Sequence, residues 1–277
     1  MYSAEISRNN PTAFLFLIDQ SGSMDSKNEF GKTLAELVSD SINKLFNDLI
    51  IKCSKSEGVR NYFDVGVIAY GNNKCSNGLK GVLASAILNP ISAIEENPLR
   101  IEDRIKKVSD GAGGVIEQRI KFPVWFEPVA DGGTPMYQAL KQAAVELVTW
   151  CDNHPDSFPP IVINITDGEN TDSEDPEEIA DKLKQIGTND GEVLLFNVHI
   201  TQHSNQQFLY VDSESQLPNA SAKKMFRMSS VLTESMQKLA ENAGYTASAN
   251  SRGYCYNAEI VSLIDFMEIG TRAANLR

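Results

Sequence analysis

The chain has 277 residues, of which 42% are hydrophobic and 22% are charged, as in folded globular proteins and unlike disordered or fibrous chains. With 25 basic against 37 acidic residues, its formal charge of −12 disfavours nucleic acid and anionic membranes as partners. The first eleven residues form a polar tail, and no apolar run approaches the roughly 20 residues that span a bilayer, so we expect a cytoplasmic protein. The four cysteines include no Cys-x-x-Cys pair, which predicts free thiols.

Short apolar runs alternate with helical patterns along the chain. Nearly continuous apolar runs, typical of strands covered on both faces, predict four strands: Ala13–Ile18, Val65–Ala69, Ile161–Ile165 and Val193–Val198. Amphipathic spacing or capping residues predict three helices: Thr33–Cys53, Pro135–Trp150, and one that has Asp175 as N-cap and ends near Gly187. This alternation predicts an α/β fold, Rossmann-like and doubly wound, with a mainly parallel central sheet and helices on both faces.

The remaining segments are predicted to elaborate one domain, residues 1–277. Residues 72–130 interrupt the alternation and should form an edge elaboration, in which Lys107–Phe122 reads as a hairpin. Further on, Lys223–Met228 is predicted as a last strand. Two closing helices are expected within residues 231–277: Ser235–Ala243 and Ala258–Thr271.

Oxygen-bearing side chains follow several of these predicted elements. Asp19, Ser21 and Ser23 come at and just after the end of the first strand, and Asp167 follows the third. Thr134 lies behind two glycines, at the start of the second helix. In open α/β sheets, ligands bind at the carboxyl ends of the strands. We therefore expect these five side chains to meet at one rim.

Two carboxylates and three hydroxyls form a hard, all-oxygen ligand set without histidine or cysteine. Such a set suits Mg²⁺, and less exclusively Mn²⁺ or Ca²⁺, rather than zinc or copper. Mg²⁺ is octahedral and retains waters, so one position can remain for an oxygen from outside the chain. The complementary ligand is a Glu or Asp carboxylate of a protein partner.

This pattern resembles the von Willebrand factor A domains and their metal-ion-dependent adhesion site. The match consists of Asp-x-Ser-x-Ser at 19–23, Thr134, and Asp167 within Thr-Asp-Gly. The resemblance implies that the serines and, in one state, the threonine contact the metal directly, while the aspartates often act through water. It also implies that movement between such states couples ligand binding to helix shifts in some members.

Three other segments are similar to the bacterial intracellular, tellurium-resistance-associated (TerY-like) branch of these domains. They are Val124–Met136, Ser251–Ala258 and Ile269–Arg272. This resemblance implies an adaptor or scaffold in a bacterial stress-response or defence pathway, with protein kinase and phosphatase partners. The pathway and the partners are thus inferred from likeness to the family and not from the chemistry of the site.

Other interpretations of the same residues remain open. Thr134 could be an N-cap, the serines could satisfy loop amides, and the two aspartates could close turns. A bound ion could also serve only to hold the loops together. An enzymatic alternative is a Mg²⁺-dependent phosphohydrolase or phosphotransferase. Against it, an Asp-x-Asp phosphoaspartyl enzyme needs a carboxylate two residues after Asp19, where this chain has Ser21. A non-enzymatic binding module is therefore preferred.

Overall fold

The structure, a computed structural model, describes residues 2–28, 30–109, 114–201 and 206–257. Its strands are β1 Thr12–Asp19, β2 Ser54–Lys55, β3 Gly58–Val59, β4 Phe63–Gly71, β5 Lys74–Asn77, β6 Leu88–Pro90, β7 Arg100–Ser109, β8 Val115–Val124, β9 Ile161–Thr166, β10 Gly187–Thr188, β11 Gly191–Glu192, β12 Leu194–His199, β13 Phe208–Leu209 and β14 Tyr254–Tyr256. Its α-helices are α1 Leu34–Cys53, α2 Ile91–Glu96, α3 Met136–Asn153, α4 Pro176–Leu183, α5 Ala220–Met228 and α6 Glu234–Asn242. Short 3-10 helices cover Gly22–Asp25, Gly81–Ser85 and Glu214–Gln216.

Eight strands form the central sheet, in the order β13-β14-β12-β9-β1-β4-β5, with β6 also pairing with β4. The five inner strands, β14 to β4, are mutually parallel, whereas β13, β5 and β6 join antiparallel at the edges. The chain crosses from β1 to β4 on one side and later fills β9, β12 and β14 on the other. The predicted α/β, doubly wound, mainly parallel sheet is confirmed.

Helices cover both faces of this sheet because both faces are apolar. On one face, α1, α2 and α6 pack with the strands around Phe16, Phe46 and Trp125. On the other face, α3, α4 and α5 pack around Leu15 and Leu195. The strands run continuously apolar because neither face meets water, as the sequence pattern predicted.

The four predicted strands and three predicted helices are confirmed, with small shifts at their ends. Helix α1 begins after Thr33, whose side chain forms a capping box with Glu36. Helix α4 has Asp175 as its N-cap, as predicted, but ends at Leu183 rather than near Gly187. The predicted hairpin is present as the antiparallel pair β7–β8, which starts earlier than Lys107 and includes ten residues in each strand.

Near the C-terminus, one prediction is wrong and another lies outside the described residues. The segment Lys223–Met228 belongs to helix α5, not to a strand, because Asn219 caps a helix there through its bond to the Ala222 amide. The outermost parallel strand is instead β14, which the sequence pattern did not indicate. The predicted helix Ser235–Ala243 is confirmed as α6, whereas Ala258–Thr271 is not among the described residues.

Candidate metal centre

The predicted rim lies where the sheet changes winding direction. Strands β1 and β9 are parallel neighbours, but β1 leads to helix α1 on one face and β9 leads to α4 on the other. The loops that follow them therefore diverge and leave a crevice between them, which is where open α/β sheets bind ligands. Asp19 is the last residue of β1, and Asp167 follows directly after β9.

Asp19 is a buried carboxylate that accepts hydrogen bonds from neutral groups only: the Ser21 amide and hydroxyl, and the Thr166 hydroxyl. It is 1% exposed; Oδ1 accepts from the Ser21 amide at 2.8 Å, and Oδ2 accepts from the Thr166 hydroxyl at 2.6 Å. Burial raises the pKa of Asp19 to about 6, and the nearby Asp167 carboxylate contributes to the rise. No lysine or arginine within the described ranges forms an ion pair with it. Its charge is therefore poorly compensated by the protein itself.

The two serines extend the oxygen cluster from Asp19 towards solvent. Ser21 is buried and Ser23 is exposed, and their hydroxyl oxygens lie 3.0 Å apart. The short helix Gly22–Asp25 begins directly after Ser21 and turns the chain so that the Ser23 side chain contacts that of Ser21. The solvent exposure of these side chains thus increases outward from the end of β1, from the buried Asp19 and Ser21 to the exposed Ser23.

Backbone hydrogen bonds join the Asp19 loop to the loop that carries Thr134. The Asp131 amide donates to the Gln20 carbonyl at 2.7 Å, and the Gly22 amide donates to the Gly132 carbonyl at 2.9 Å. Gly71 lies against the same contact, since a β-carbon there would come within 2.5 Å of the Gln20 carbonyl oxygen. The two loops are therefore fixed relative to each other by main-chain contacts.

Thr134 is also joined to the loop that follows Asp167. Its amide donates to the Thr171 hydroxyl at 2.7 Å, and its carbonyl accepts from the Thr171 amide at 3.0 Å. Pro135, not Thr134, occupies the N-cap position of α3, so the N-cap interpretation of Thr134 is not realised. Instead, the Asp172 carboxylate accepts from the amides of Tyr137 and Gln138, which begin that helix.

The position of Asp167 is set by groups beneath its loop. Gly168 has φ +91°, and a β-carbon there would lie 2.5 Å from the Ser221 hydroxyl and 2.7 Å from the His199 ring. The Ser221 hydroxyl donates to the Gly168 carbonyl, and the His199 ring hydrogen-bonds to the Asp167 backbone. Glycine is therefore required at this turn, both for its conformation and for the close approach.

His199 is neutral in this position. Burial lowers its pKa to about 4, and the Tyr254 hydroxyl lies 3.3 Å from its Nδ1. His199 is also the register partner of Thr166, the residue that donates to Asp19. Sequence reasoning did not assign a role to either Thr166 or His199. Each is the last residue of a buried strand, and Thr166 also directly precedes the predicted ligand Asp167.

All five predicted ligands therefore lie on three loops that contact one another. Hydrogen bonds join Asp19 to Ser21 and Ser21 to Ser23. The Asp167 carboxylate is close enough to raise the pKa of Asp19, and main-chain hydrogen bonds join the Asp19 loop to the loop that carries Thr134. The donors are oxygens only, and the under-compensated Asp19 carboxylate suits a divalent cation, so the residues fit a hard metal ion. The described part of the chain has no group of three or more His, Cys, Asp and Glu residues that could hold a metal ion, at this rim or elsewhere, so the proposed site depends on its hydroxyl oxygens as well.

The chain matches no family model and no curated protein by sequence. Among solved structures, it is similar to proximal thread matrix protein 1 from the mussel byssus, with 16% identity, 94% of this chain and 48% of that chain covered, and a TM-score of 0.49. A second form of that protein, with a zinc-occupied MIDAS motif, matches at 13% identity over 95% of this chain and 47% of that one, with a TM-score of 0.43. A manganese-loaded TRAP protein from Plasmodium vivax matches at 19% identity over 71% of this chain and 60% of that one, with a TM-score of 0.37.

These matches are von Willebrand factor A-domain proteins, and this chain spans about half the length of the mussel protein. Their identities of 13% to 19% and TM-scores of 0.37 to 0.49 do not bear on what this chain binds. Separately, none of the described helices is both long and apolar enough to cross a membrane.

Proposed function

We propose that this rim is a divalent metal centre, with Mg²⁺ as the default ion and Mn²⁺ or Ca²⁺ as alternatives. Asp19, Ser21, Ser23, Thr134 and Asp167 would hold the ion, and the chain would use it to bind an acidic group of a partner protein. When bound, the ion supplies a positive centre that retains a position for one outside carboxylate. The chain is then a binding module rather than an enzyme.

The observation that carries this proposal is the state of Asp19. A carboxylate that is 1% exposed and has no cationic partner among the described residues is costly, and proteins normally pair or neutralise such a group. If Asp19 only closed a turn, a neutral asparagine would serve as well at lower cost. A cation beside Asp19 and Asp167 would turn this cost into binding energy.

The hydroxyl donors support the same assignment. The exposed Ser23 hydroxyl lies beside the buried Ser21 hydroxyl, so the oxygen set opens to solvent on one side. The other sides are closed by the backbone contacts of Gly132 and Thr134. A ligand set that is closed below and open above suits an ion that also accepts a group from outside.

The first experiment titrates the metal-free protein with MgCl₂ and MnCl₂ by isothermal calorimetry. We expect one site in the wild type and its loss in Asp19→Ala. Asp152→Ala is the matched control, because Asp152 is an exposed aspartate close to the far end of α3 from the rim. Absence of binding in the wild type, or equal binding in Asp19→Ala, would refute the metal centre.

The second experiment asks what the metal centre binds. An array of peptides that contain Glu or Asp, each with a matched Gln or Asn version, is probed with the protein in Mg²⁺ and then in EDTA. We expect retention that needs both Mg²⁺ and the acidic version. Metal binding without any such retention would support an ion that only holds the loops together. Turnover of phosphate esters that vanishes in Asp19→Asn would support the phosphohydrolase alternative.

The wider biological role is proposed from the sequence resemblance alone. The similarity of Val124–Met136 and Ser251–Ala258 to the tellurium-resistance-associated branch supports an adaptor in a bacterial stress or defence pathway with kinase and phosphatase partners. We also propose that the chain is one domain, because both apolar clusters use the same central sheet. Its cytoplasmic location stays a prediction.

A further inference from the structure

Two asparagines lie in the middle of buried strands that are otherwise almost entirely apolar. Asn164 in β9 and Asn197 in β12 are register partners, and both are 0% exposed. A buried amide is costly unless it is hydrogen-bonded, whereas an apolar side chain at the same place carries no such cost. Both amides are in fact hydrogen-bonded, and the direction of each bond can be deduced.

The orientation of the Asn197 amide is determined at the end of helix α5 by the Met225 carbonyl, which can only accept hydrogen bonds. The Met225 carbonyl accepts from the Ser229 hydroxyl at 2.8 Å and from Asn197 Nδ2 at 3.3 Å. Because the single Ser229 proton is used there, the Ser229 oxygen accepts from Asn197 Nδ2 at 2.9 Å. The amide nitrogen of Asn197 therefore faces α5, and its oxygen faces Asn164.

The orientation of Asn197 also determines the orientations of Asn164 and Tyr70, which follow it in a row of hydrogen-bonded side chains (the Tyr70 row). Asn164 has to turn its nitrogen towards the Asn197 oxygen, at 3.0 Å, and this leaves the Asn164 oxygen facing Tyr70. The Tyr70 hydroxyl donates to that oxygen at 2.7 Å. Its only proton therefore points away from the rim.

Tyr70 also touches the group that supports Asp19. Its hydroxyl lies within hydrogen-bonding range of the Thr166 side chain, whose own proton is donated to Asp19 Oδ2 at 2.6 Å. Since the Tyr70 proton is committed to Asn164 and the Thr166 proton to Asp19, no proton is left to bridge the Tyr70 and Thr166 oxygens. Thr166, and through it Asp19, is thus denied a hydroxyl donor that lies within reach of Thr166.

We propose that Asn164 and Asn197 are positioning residues of the metal centre, which hold the Tyr70 proton away from Thr166 and Asp19. Compensation of the Asp19 charge is then left to the cation. Without the asparagines, Tyr70 turns its proton towards Thr166 and Asp19 and competes with the cation for that charge. The inference rests on the proposed metal-binding function, but the orientation of the Tyr70 proton can be measured without metal.

The binding test uses Asn164→Leu and Mn²⁺ as the probe. Loss of a residue that orients a ligand from behind typically weakens metal binding roughly 10- to 100-fold, and we expect a change in this range. Adding Tyr70→Phe to Asn164→Leu should restore most of the affinity, because no hydroxyl proton is left to turn. A merely structural role for Asn164 predicts the opposite, since the second substitution would add damage.

The matched control is Asn89→Leu. Asn89 is also buried, and its Nδ2 donates to the Leu83 and Ala86 carbonyls, in a part of the fold that the Tyr70 row does not reach. We expect this variant to lose stability but to keep its Mn²⁺ affinity. If Asn164→Leu does not fold, Asn197→Leu replaces it, because that change frees the Asn164 amide to reverse and gives the same expected result.

The measurement that is independent of metal uses NMR of the metal-free wild type. The buried Tyr70 hydroxyl proton should show contacts to the Asn164 side chain, and in Asn164→Leu it should show contacts to the Thr166 methyl instead. Stronger contacts to the Thr166 methyl than to the Asn164 side chain already in the wild type would overturn the proposal. So would normal Mn²⁺ affinity in Asn164→Leu, or no recovery with Tyr70→Phe, while wild-type binding kept the proposed function intact. A wild type that binds no Mn²⁺ would refute the proposed function, and with it the positioning role.

Discussion

Replacing Asp19 by asparagine should stabilise the metal-free protein at neutral pH, even though it removes a proposed ligand. Burial raises the pKa of Asp19 from 3.8 to about 6. Above both values, the carboxylate is charged in the folded and the unfolded chain, and the difference costs about 3 kcal/mol at roughly 1.4 kcal/mol per pKa unit. Because Asp19 is 1% exposed, screening by solvent reduces this cost little.

The asparagine does not recover all of this free energy. Its amide oxygen can still accept from the Ser21 amide, but its nitrogen would face the Thr166 hydroxyl, which now donates to Asp19 Oδ2. Loss of that charge-assisted bond costs about 1.5 to 3 kcal/mol in other proteins, and reorientation of the hydroxyl offsets part of it. We therefore expect a net gain of about 1 kcal/mol, or ~2 to 4 °C in melting temperature for a chain of this size.

The pH dependence distinguishes this cause from a general packing effect. Below pH 3.8, Asp19 is protonated in both states and incurs no charge cost, and the cost develops as the pH rises to about 6 and then stays constant. The advantage of Asp19→Asn over the wild type should therefore grow across this window. Urea unfolding in EDTA at several pH values measures it. An advantage that is flat or declines with rising pH would refute the reasoning.

Divalent cation should reverse the order of the two proteins. At a hundredfold excess over its dissociation constant, an ion stabilises the form that binds it by about 2.7 kcal/mol, and only the wild type should gain this. Asp152→Asn, which changes the same charge at an exposed position, should follow the wild type under both conditions. Equal stabilisation of Asp19→Asn by Mg²⁺ would contradict the assignment of Asp19 as a ligand.

Three further outcomes follow from the described contacts. Gly168→Ala should lower the free energy of unfolding by about 2 kcal/mol or more and weaken metal binding, because φ is +91° and the new methyl would press on the His199 ring. Urea unfolding measures the first effect, and calorimetry measures the second. Asp172→Ala should cost ~1 kcal/mol in unfolding free energy, since it uncaps α3, and Asp172→Asn should recover part of it. Burial raises the pKa of Cys53 to about 12 and of Cys75 to about 11, so both should resist iodoacetamide at pH 8 until the protein is unfolded, as mass spectrometry can follow.

The elements that the sequence predicted correctly are those with strong local signals. Helix α1 combines a capping box at Thr33 with twenty residues of amphipathic spacing, and α4 has both an N-cap and a proline at its first position. The inner strands β1 and β9 are continuous apolar runs that end in a polar residue. Such signals depend on neighbours in the chain, so they can be recognised before the fold is known.

The elements that were missed depend on tertiary contacts. The segment of α5 is short and mixes lysines with Met225 and Phe226, a pattern that suits an edge strand as well as a helix; its packing against β12 and the Asn219 cap decide for a helix. Strand β14 has only three residues, too few to show any period. Its pairing with β12 makes it a strand.

The candidate site divides in the same way. Positions such as Asp19 and Asp167 could be predicted, because the end of an apolar run marks the rim of a parallel sheet. Thr166 could not be matched with Asp19 beforehand, since their contact depends on the register of β9 against β1. His199 likewise contacts the Asp167 loop only through the pairing of β12 with β9.

The buried polar side chains beneath the rim follow a line rather than a scatter. From the Ser229 hydroxyl through Asn197 and Asn164 to Tyr70, each side chain hydrogen-bonds to the next. Tyr70 lies beside Thr166, and Thr166 donates to Asp19, where the line ends. A sheet selected for stability alone would fill these positions with apolar residues, since a satisfied buried hydrogen bond contributes only about 1 kcal/mol net. Here the polar side chains lead to the Asp19 carboxylate, whose charge has no cationic partner among the described residues. They determine which hydroxyl protons can reach that carboxylate. The cost at Asp19 and the polar side chains that preserve it therefore both support the proposed metal centre.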